Sequence, residues 1–167
     1  MKLADVETML RALNDANVRY LIVGGLAVVA HGYVRYTRDV DIVVNLEHDN
    51  VVRAMEALER IGYRPLAPVR GVEFANAESR RKWIEEKNMI VFQLRGSDPD
   101  STNLDVFVKE PFAFAEEYGR AKWDEVAGVR APILRYEELI RLKRASGRPI
   151  DLGDIDQLEL MHGKTNE

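Results

Sequence analysis

The stretch YLIVGGLAVVAHGYVRYTRDVDIVV, residues 20–44, decides the fold of this chain. An apolar run ends in Gly24-Gly25, and after a short helical segment and a polar loop Asp39-Val40-Asp41 opens a second apolar run. Residues two apart in a strand point the same way, so the two aspartates project together. Neighbouring carboxylates repel, and burying either one is costly unless a cation joins them. The pattern predicts a site for a hard divalent ion: Mg²⁺, with Mn²⁺ as the alternative.

Other interpretations of these two motifs stay open when each is taken alone. A strand that turns through Gly24-Gly25 into a helix aims backbone N–H groups at one point, which suits a phosphate. The same pair is also typical of a plain turn. The aspartates, in turn, could form structural salt bridges with Arg35 or Arg38 instead of holding an ion.

Length, composition and charge exclude several classes of protein. The 167 residues, 46% of them hydrophobic, are most simply one domain, which we expect to span residues 1–162 with a mobile tail at 163–167. The absence of cysteine excludes disulfides and thiolate metal sites. No apolar run approaches the length of a membrane span, and the N-terminus lacks the apolar block of a signal peptide, so we expect a cytoplasmic protein. The net charge of −4 argues against a general nucleic-acid coat.

The periodicity of apolar residues predicts an α/β (α+β) chain with a small mixed β-sheet flanked by helices. We expect strands at residues 18–23, 40–44, 89–94, 104–108 and 129–134, and helices at residues 3–16, 26–31, 48–61, 76–87, 112–119, 136–146 and 151–161. Pro132 marks the 129–134 strand as an edge strand. Apart from the helix and the strand predicted within them, residues 62–103 match no specific functional motif.

A third carboxylate, Asp105, lies in the run NLDVFV. If its strand lies beside the strand of Asp41, the aspartates form a cluster suited to two-metal phosphoryl or nucleotidyl transfer. Asp105 is then the candidate to orient or deprotonate the acceptor hydroxyl. A lone strand aspartate is otherwise typical of a sheet edge.

Together, Gly24-Gly25, RYTRDVDI (residues 35–42) and LDV (residues 104–106) resemble the DNA polymerase β-type nucleotidyltransferase superfamily. The form V-G-G-x-A with R-x-T-x-D-h-D, where h is apolar, is most similar to its minimal bacterial branch, which includes AbiEii-like toxin enzymes and small antibiotic nucleotidyltransferases. The resemblance implies a polymerase β-like fold, metal ligation and catalysis by Asp39, Asp41 and Asp105, and triphosphate contacts at Gly24 and Gly25. Thr37 and Arg38 are further candidates for nucleotide contacts, although Thr37 is equally suited to steadying its loop.

The C-terminal stretch has spacings similar to the AbiEii-like pattern K-x4-R-x2-D-x2-D, at Lys143, Arg148, Asp151 and Asp154. Lys143 is suited to balancing triphosphate charge, and Arg148 to pairing with phosphate or with Asp151, which places all three in the candidate nucleotide site. The alternative is that Asp151 caps the last helix and Asp154 occupies its first turn.

These features predict a Mg²⁺-dependent enzyme that moves an NMP from an NTP to an acceptor hydroxyl and releases pyrophosphate. The acceptor stays open between an RNA 3′ end, a protein hydroxyl and a small hydroxylated molecule such as an antibiotic. The resemblance also implies a toxin–antitoxin partner protein. The alternative function is a non-catalytic nucleotide-binding or antitoxin-like partner-binding module.

Overall fold

A computed structural model describes residues 1–163, in which helices pack on one mixed β-sheet. In chain order the strands are β1 (Tyr20–Val23), β2 (Val40–Val44), β3 (Arg64–Pro65), β4 (Val91–Arg95), β5 (Leu104–Phe107), β6 (Lys122–Val126) and β7 (Val129–Ile133). The helices are α1 (Leu3–Asp15), α2 (Gly24–Ala30), α3 (His48–Arg60), α4 (Ala77–Lys87), α5 (Phe114–Gly119), α6 (Tyr136–Ser146) and α7 (Pro149–Gly163), with a 3₁₀ helix at Gly71–Ala75. Residues 164–167 of the expected mobile tail lie outside the described residues.

The sheet has the order β3-β4-β5-β2-β1-β7-β6. Strands β2 and β5 run parallel, as do β1 and β7, and the other neighbouring pairs are antiparallel. This confirms the predicted α/β fold with a mixed sheet. No helix between residues 1 and 163 combines the length and the apolar character that crossing a membrane requires.

The centre of the sheet is buried because its strands are apolar on both faces. All four residues of β1 are buried, and α1 places Val6, Met9, Leu10 and Leu13 in the core at helical spacing. Each such side chain contributes about 1.5–3 kcal/mol when fully buried. The central strands β1 and β2 thus provide a firm base for the residues at their ends.

The prediction that residues 129–134 form an edge strand is wrong. Strand β7 lies between β1 and β6, and Leu134 N donates to Ile22 O at 3.0 Å. Pro132 is tolerated there because the pairing of β7 with β1 is confined to Ile133 and Ile22, so Pro132 needs no N–H on that side. The edge is β6, whose sequence KWDEV is mostly exposed and has no apolar alternation that would identify it.

The unmatched middle of the chain forms one wall of the fold. Strand β4 pairs with β5. Phe92 of β4 stacks between Phe74 and Trp83, with ring centroids 4.9 Å and 5.2 Å from its own. Helix α4 begins at the cap residue Asn76, whose side chain accepts from two backbone N–H groups. This packing fixes β4 beside the strand that carries Asp105.

Candidate active site

A row of paired residues crosses the sheet at the candidate site. Asp41 of β2 is the direct partner of Asp105 of β5, and Asp105 is in turn the partner of Gln93 of β4. Directly paired residues point to the same face of a sheet, so the carboxylates of Asp41 and Asp105 stand side by side. Asp39 precedes Asp41 by two residues, just before β2 begins, and projects in the same direction.

All of the predicted site residues except Asp151 line one cleft of about 310 Å³. From the predicted set these are Gly24, Gly25, Thr37, Arg38, Asp39, Asp41, Asp105, Lys143 and Arg148. Arg35, Phe107 and Ile150 also line the cleft. The three aspartates therefore face Lys143 of α6 and Arg148, which lies between α6 and α7, across one opening.

The carboxylates of Asp39 and Asp41 make no hydrogen bond or salt bridge within the part of the chain that the structure describes. The alternative of salt bridges to Arg35 or Arg38 is therefore not observed. Burial, followed by the negative charges of Asp105 and Asp39, raises the pKa of Asp41 to about 7, and the nearby charges of Lys143 and Arg148 only partly oppose this. These two carboxylates lack a counter-charge at contact distance.

The Asp105 carboxyl has a polar neighbour. Gln93 Nε2 donates to Asp105 Oδ1 at 2.8 Å, which leaves Oδ2 to accept another proton or ligand. Burial raises the pKa of Asp105, the hydrogen bond from Gln93 opposes that rise, and the charge of Asp39 adds to it. A carboxylate held in this way is oriented and more basic than an exposed aspartate.

Gly24 and Gly25 are required by close packing at the start of α2. Gly24 has φ +64°, and a Cβ built on it would clash with the carboxylate of Asp41. A Cβ on Gly25 would clash with Thr37 and come within 3.2 Å of a guanidinium nitrogen of Arg35. The pair therefore lets α2 begin directly against the aspartates and against the loop that precedes β2.

We expect Gly24→Ala to destabilise the protein by about 2–4 kcal/mol, because it combines a left-handed backbone with a steric clash. Gly128→Ala is the matched control: Gly128 has φ +75°, but a Cβ there meets no atom of the described residues within 4 Å. Thermal unfolding of both variants separates the two effects. Equal losses of stability would show that the contact with Asp41 does not matter.

Two buried carboxylates hold three basic side chains that line the cleft: Lys143 and Arg148 opposite the aspartates, and Arg35 beside the start of α2. Asp151 accepts from Arg148 Nε at 2.7 Å and from Lys143 Nζ at 3.1 Å. Asp154 lies 2.8 Å from Lys143 Nζ and 2.6 Å from Arg35 Nε. The side chains of Asp151 and Asp154 are each only 2% exposed. We call these five residues the basic cluster; its cations outnumber its anions by one.

Asp151 itself does not line the cleft. Burial alone would raise its pKa, but hydrogen bonds from Arg148, Ser146 and Lys143 lower the pKa of Asp151 to about 2. It is therefore ionised at neutral pH. Asp151 reaches the cleft only through the cations that it holds.

Sequence reasoning missed Gln93 and Phe107 as site residues and did not foresee that Arg35 pairs with Asp154. Gln93 is a polar residue within an apolar strand, which is a weak signal, and its role depends on pairing with β5. Phe107 follows Asp105 by two residues and so shares its face of the sheet. Arg35 and Asp154 are 119 positions apart, and no local pattern connects them.

Within residues 1–163, no three His, Asp or Glu side chains converge closely enough to enclose a metal ion by themselves. The cleft is thus an open set of carboxylates and not a closed cage. Mg²⁺ is commonly held in such sites, because it binds through one or two carboxylates and completes its shell with water and phosphate.

Solved structures of similar fold include two antibiotic-modifying enzymes. The lincosamide antibiotic adenylyltransferase LnuA, bound to lincomycin, is 17% identical with a TM-score of 0.60, over 93% of this chain and 95% of that one. The enzyme ANT(2")-Ia in complex with adenylyl-2"-tobramycin is 15% identical with a TM-score of 0.61, over 98% and 91%. A solution structure of the antibiotic-resistance factor ANT(2'')-Ia is 17% identical with a TM-score of 0.62, over 98% and 85%. At these identities the likeness establishes a nucleotidyltransferase fold.

No curated protein shows significant sequence similarity to the chain. The profile of the aminoglycoside-2''-adenylyltransferase family matches residues 5–158, nearly the whole chain. This agrees with the superfamily expected from the glycine pair and the three aspartates, and within the expected branch it supports the small antibiotic nucleotidyltransferases. The protein is therefore a nucleotidyltransferase that belongs to the aminoglycoside-2''-adenylyltransferase family.

Proposed function

We propose that this protein is a Mg²⁺-dependent adenylyltransferase that moves AMP from ATP to a hydroxyl group of an aminoglycoside and releases pyrophosphate. The observation that carries the proposal is the pair of unpartnered carboxylates, Asp39 and Asp41, beside Asp105 in the cleft. A bound cation would stabilise carboxylates that have no partner, and a bound anion would stabilise the net positive charge of the basic cluster. A metal-bound triphosphate supplies both.

The residues of the cleft fit a divalent ion. Asp39 and Asp41, with Asp105, would hold Mg²⁺, and Mn²⁺ is the alternative ion. The raised pKa of Asp41 supports this assignment, because burial and the neighbouring charges of Asp105 and Asp39 outweigh the nearby charges of Lys143 and Arg148. When bound, the ion lowers the pKa of an attacking hydroxyl and offsets the charge of the leaving pyrophosphate.

Asp105 is the residue best suited to accept the proton of the acceptor hydroxyl. Its pKa is raised by burial, and Gln93 fixes one of its oxygens. As the proton passes to Asp105, a bond forms between the acceptor oxygen and the α-phosphorus. The bond from that phosphorus to the bridging oxygen breaks, and pyrophosphate leaves with the electron pair.

The nucleotide is proposed to lie between the start of α2 and the basic cluster. Gly24 and Gly25 would offer backbone N–H groups to the triphosphate, with Thr37 and Arg38 beside them on the loop. Lys143 and Arg148 would balance phosphate charge from the opposite wall. We infer that Asp151 contributes indirectly, by holding these two cations.

The acceptor and the nucleotide are proposed from the family. An aminoglycoside is a polycation, and a protein with a net charge of −4 attracts it. The matched structures are of enzymes that act on antibiotics, and they give no support to an AbiEii-like placement or to a toxin–antitoxin partner. We place the reaction in the cytoplasm because it consumes ATP.

Transfer of label from α-phosphate-labelled ATP, CTP, GTP and UTP tests the proposal directly. The acceptors are aminoglycosides with and without a free 2''-hydroxyl, lincosamides, total RNA and protein, and Asp39→Asn protein is the inactive control. We expect label only from ATP and only in aminoglycosides that carry the hydroxyl. Mg²⁺-dependent ATP binding with no transfer to any acceptor would instead identify a nucleotide-binding module.

A further inference from the structure

We infer that Arg35 and Asp154 form a clamp that positions the loop of residues 34–39, and that they are positioning residues for nucleotidyl transfer. The inference rests on the proposed function, because that loop carries Thr37, Arg38 and Asp39. It concerns two residues that the proposed mechanism places in the basic cluster without a part of their own in the reaction.

The clamp is a bidentate, buried ion pair. Arg35 Nε and Nη2 donate to the two carboxylate oxygens of Asp154 at 2.6 and 2.8 Å, and the side chains are 16% and 2% exposed. Charge-assisted pairs of this geometry are strong and directional. The pair joins the loop before β2 to the first turns of α7.

The loop has little else to hold it. Within residues 1–163, no residue from Val34 to Asp39 donates a backbone hydrogen bond to another backbone group, whereas Val40 N donates to Asn103 O at 3.0 Å. The other hydrogen bonds of the loop are local: Arg35 to Tyr36 O at 2.9 Å and a long contact of 3.4 Å from Thr37 Oγ1 to Asp39 O. Among residues 1–163, the clamp therefore provides the hydrogen bonds that connect this loop to a distant element of the fold.

The same pair also sets where Arg35 points. Asp154 and Tyr36 O accept three of the five N–H groups of Arg35, which fixes the orientation of its guanidinium. The guanidinium lies against Gly25, where a Cβ would come within 3.2 Å of it. Arg35 thus holds the loop against the start of α2, and its effect on the reaction passes through Thr37 and Asp39.

The test uses Arg35→Lys, Asp154→Asn and the double variant in the full-length protein. Arg35→Lys keeps the positive charge but removes the planar fork, and it leaves the contact between Lys143 and Asp154 intact. We expect each single variant to lower kcat/KM for ATP by on the order of 10²-fold. Without the clamp, Thr37 and Asp39 move from their positions, and a small misplacement of site residues lowers the rate by about this factor. The double variant should lose little more than Asp154→Asn alone, since both single changes break the same bond and Asp154→Asn also removes the charge beside Lys143.

Glu117→Gln is the matched control for stability. Glu117 and Arg135 form a comparable bidentate pair, at 2.7 and 3.1 Å, that does not line the cleft. We expect this variant to lower the melting temperature but to keep the kinetic constants of the wild type. Such a contrast separates positioning from general stabilisation.

Limited chymotrypsin cleavage after Tyr36 in the metal-free protein gives a readout that is independent of activity, because Tyr36 is 78% exposed and every variant keeps it. We expect faster cleavage there in both clamp variants and unchanged cleavage in Glu117→Gln. Unchanged cleavage in Arg35→Lys would overturn the clamp, and faster cleavage with wild-type kinetics would overturn its positioning role. If the wild type transfers no nucleotide at all, the proposed function fails, and the cleavage data still decide whether the clamp exists.

Discussion

Replacing Asp41 by asparagine is expected to abolish nucleotidyl transfer while leaving the protein folded. Asparagine keeps the size of the side chain but loses the negative charge that a divalent ion requires, and the loss of several kcal/mol of charge stabilisation lowers the rate by about 10³-fold or more. Steady-state transfer of labelled AMP measures the effect. Asp124→Asn, on the exposed strand β6, is the control for a carboxylate outside the cleft.

The same variant is expected to be more stable than the wild type when metal ions are absent. The pKa of Asp41 is raised from 3.8 to about 7, so between these pH values the folded protein keeps a proton that the unfolded chain has released. The free energy of unfolding of the wild type therefore falls as pH rises from about 4 to about 7, by about 2–4 kcal/mol. Asp41→Asn should not show this decline.

Mg²⁺ distinguishes a metal site from mere repulsion between carboxylates. At pH 8 the ion should stabilise the wild type, because it binds the ionised carboxylates of the folded state. It should leave Asp41→Asn nearly unchanged. A gain in stability for the variant that is equally large with and without Mg²⁺ would contradict the metal assignment.

The catalytic half of the site could be predicted from the sequence because its residues break a strong local pattern. Aspartate is disfavoured in strands, so Asp41 and Asp105 stand out within runs of valine and isoleucine. The prediction required only that their strands be neighbours, and the parallel pairing of β2 with β5 satisfies it. Two-residue periodicity then places both carboxylates on one face.

The other half of the site depends on contacts that no local pattern encodes. The clamp between Arg35 and Asp154 joins residues 119 positions apart. The sequence placed Asp154 on a helix face, but the partner of its carboxylate follows only from how α7 packs in the fold. The requirement for glycine at position 24 also depends on a distant contact. The sequence indicates a turn that suits a phosphate, but only the structure shows that any side chain at position 24 would clash with Asp41.

Replacing Lys143 by methionine is expected to produce the largest loss of stability among the cleft variants. Lys143 is 5% exposed and lies within 3.1 Å of Asp151 and 2.8 Å of Asp154. Removing one partner of a buried ion pair leaves buried charge without full compensation, which destabilises by about 3–5 kcal/mol. Urea unfolding measures the change. The matched control is Arg144→Met on the same helix, whose exposed salt bridge to Glu159 should contribute less than about 1 kcal/mol.

Lys143→Met should also weaken nucleotide binding and move the titration of the cleft. The positive charge of Lys143 holds down the pKa of Asp41, so its removal raises that pKa further and shifts the rise of activity with pH toward alkaline values. The apparent Kd for ATP should increase, because the cleft loses the ammonium group of Lys143 that lines it. Adding Asp154→Asn returns the net charge of the basic cluster to plus one, so Lys143→Met/Asp154→Asn should recover part of the stability but not the ATP affinity, since that ammonium group is still absent. Recovery of both would mean that Lys143 serves only to compensate buried carboxylates and does not act on the nucleotide.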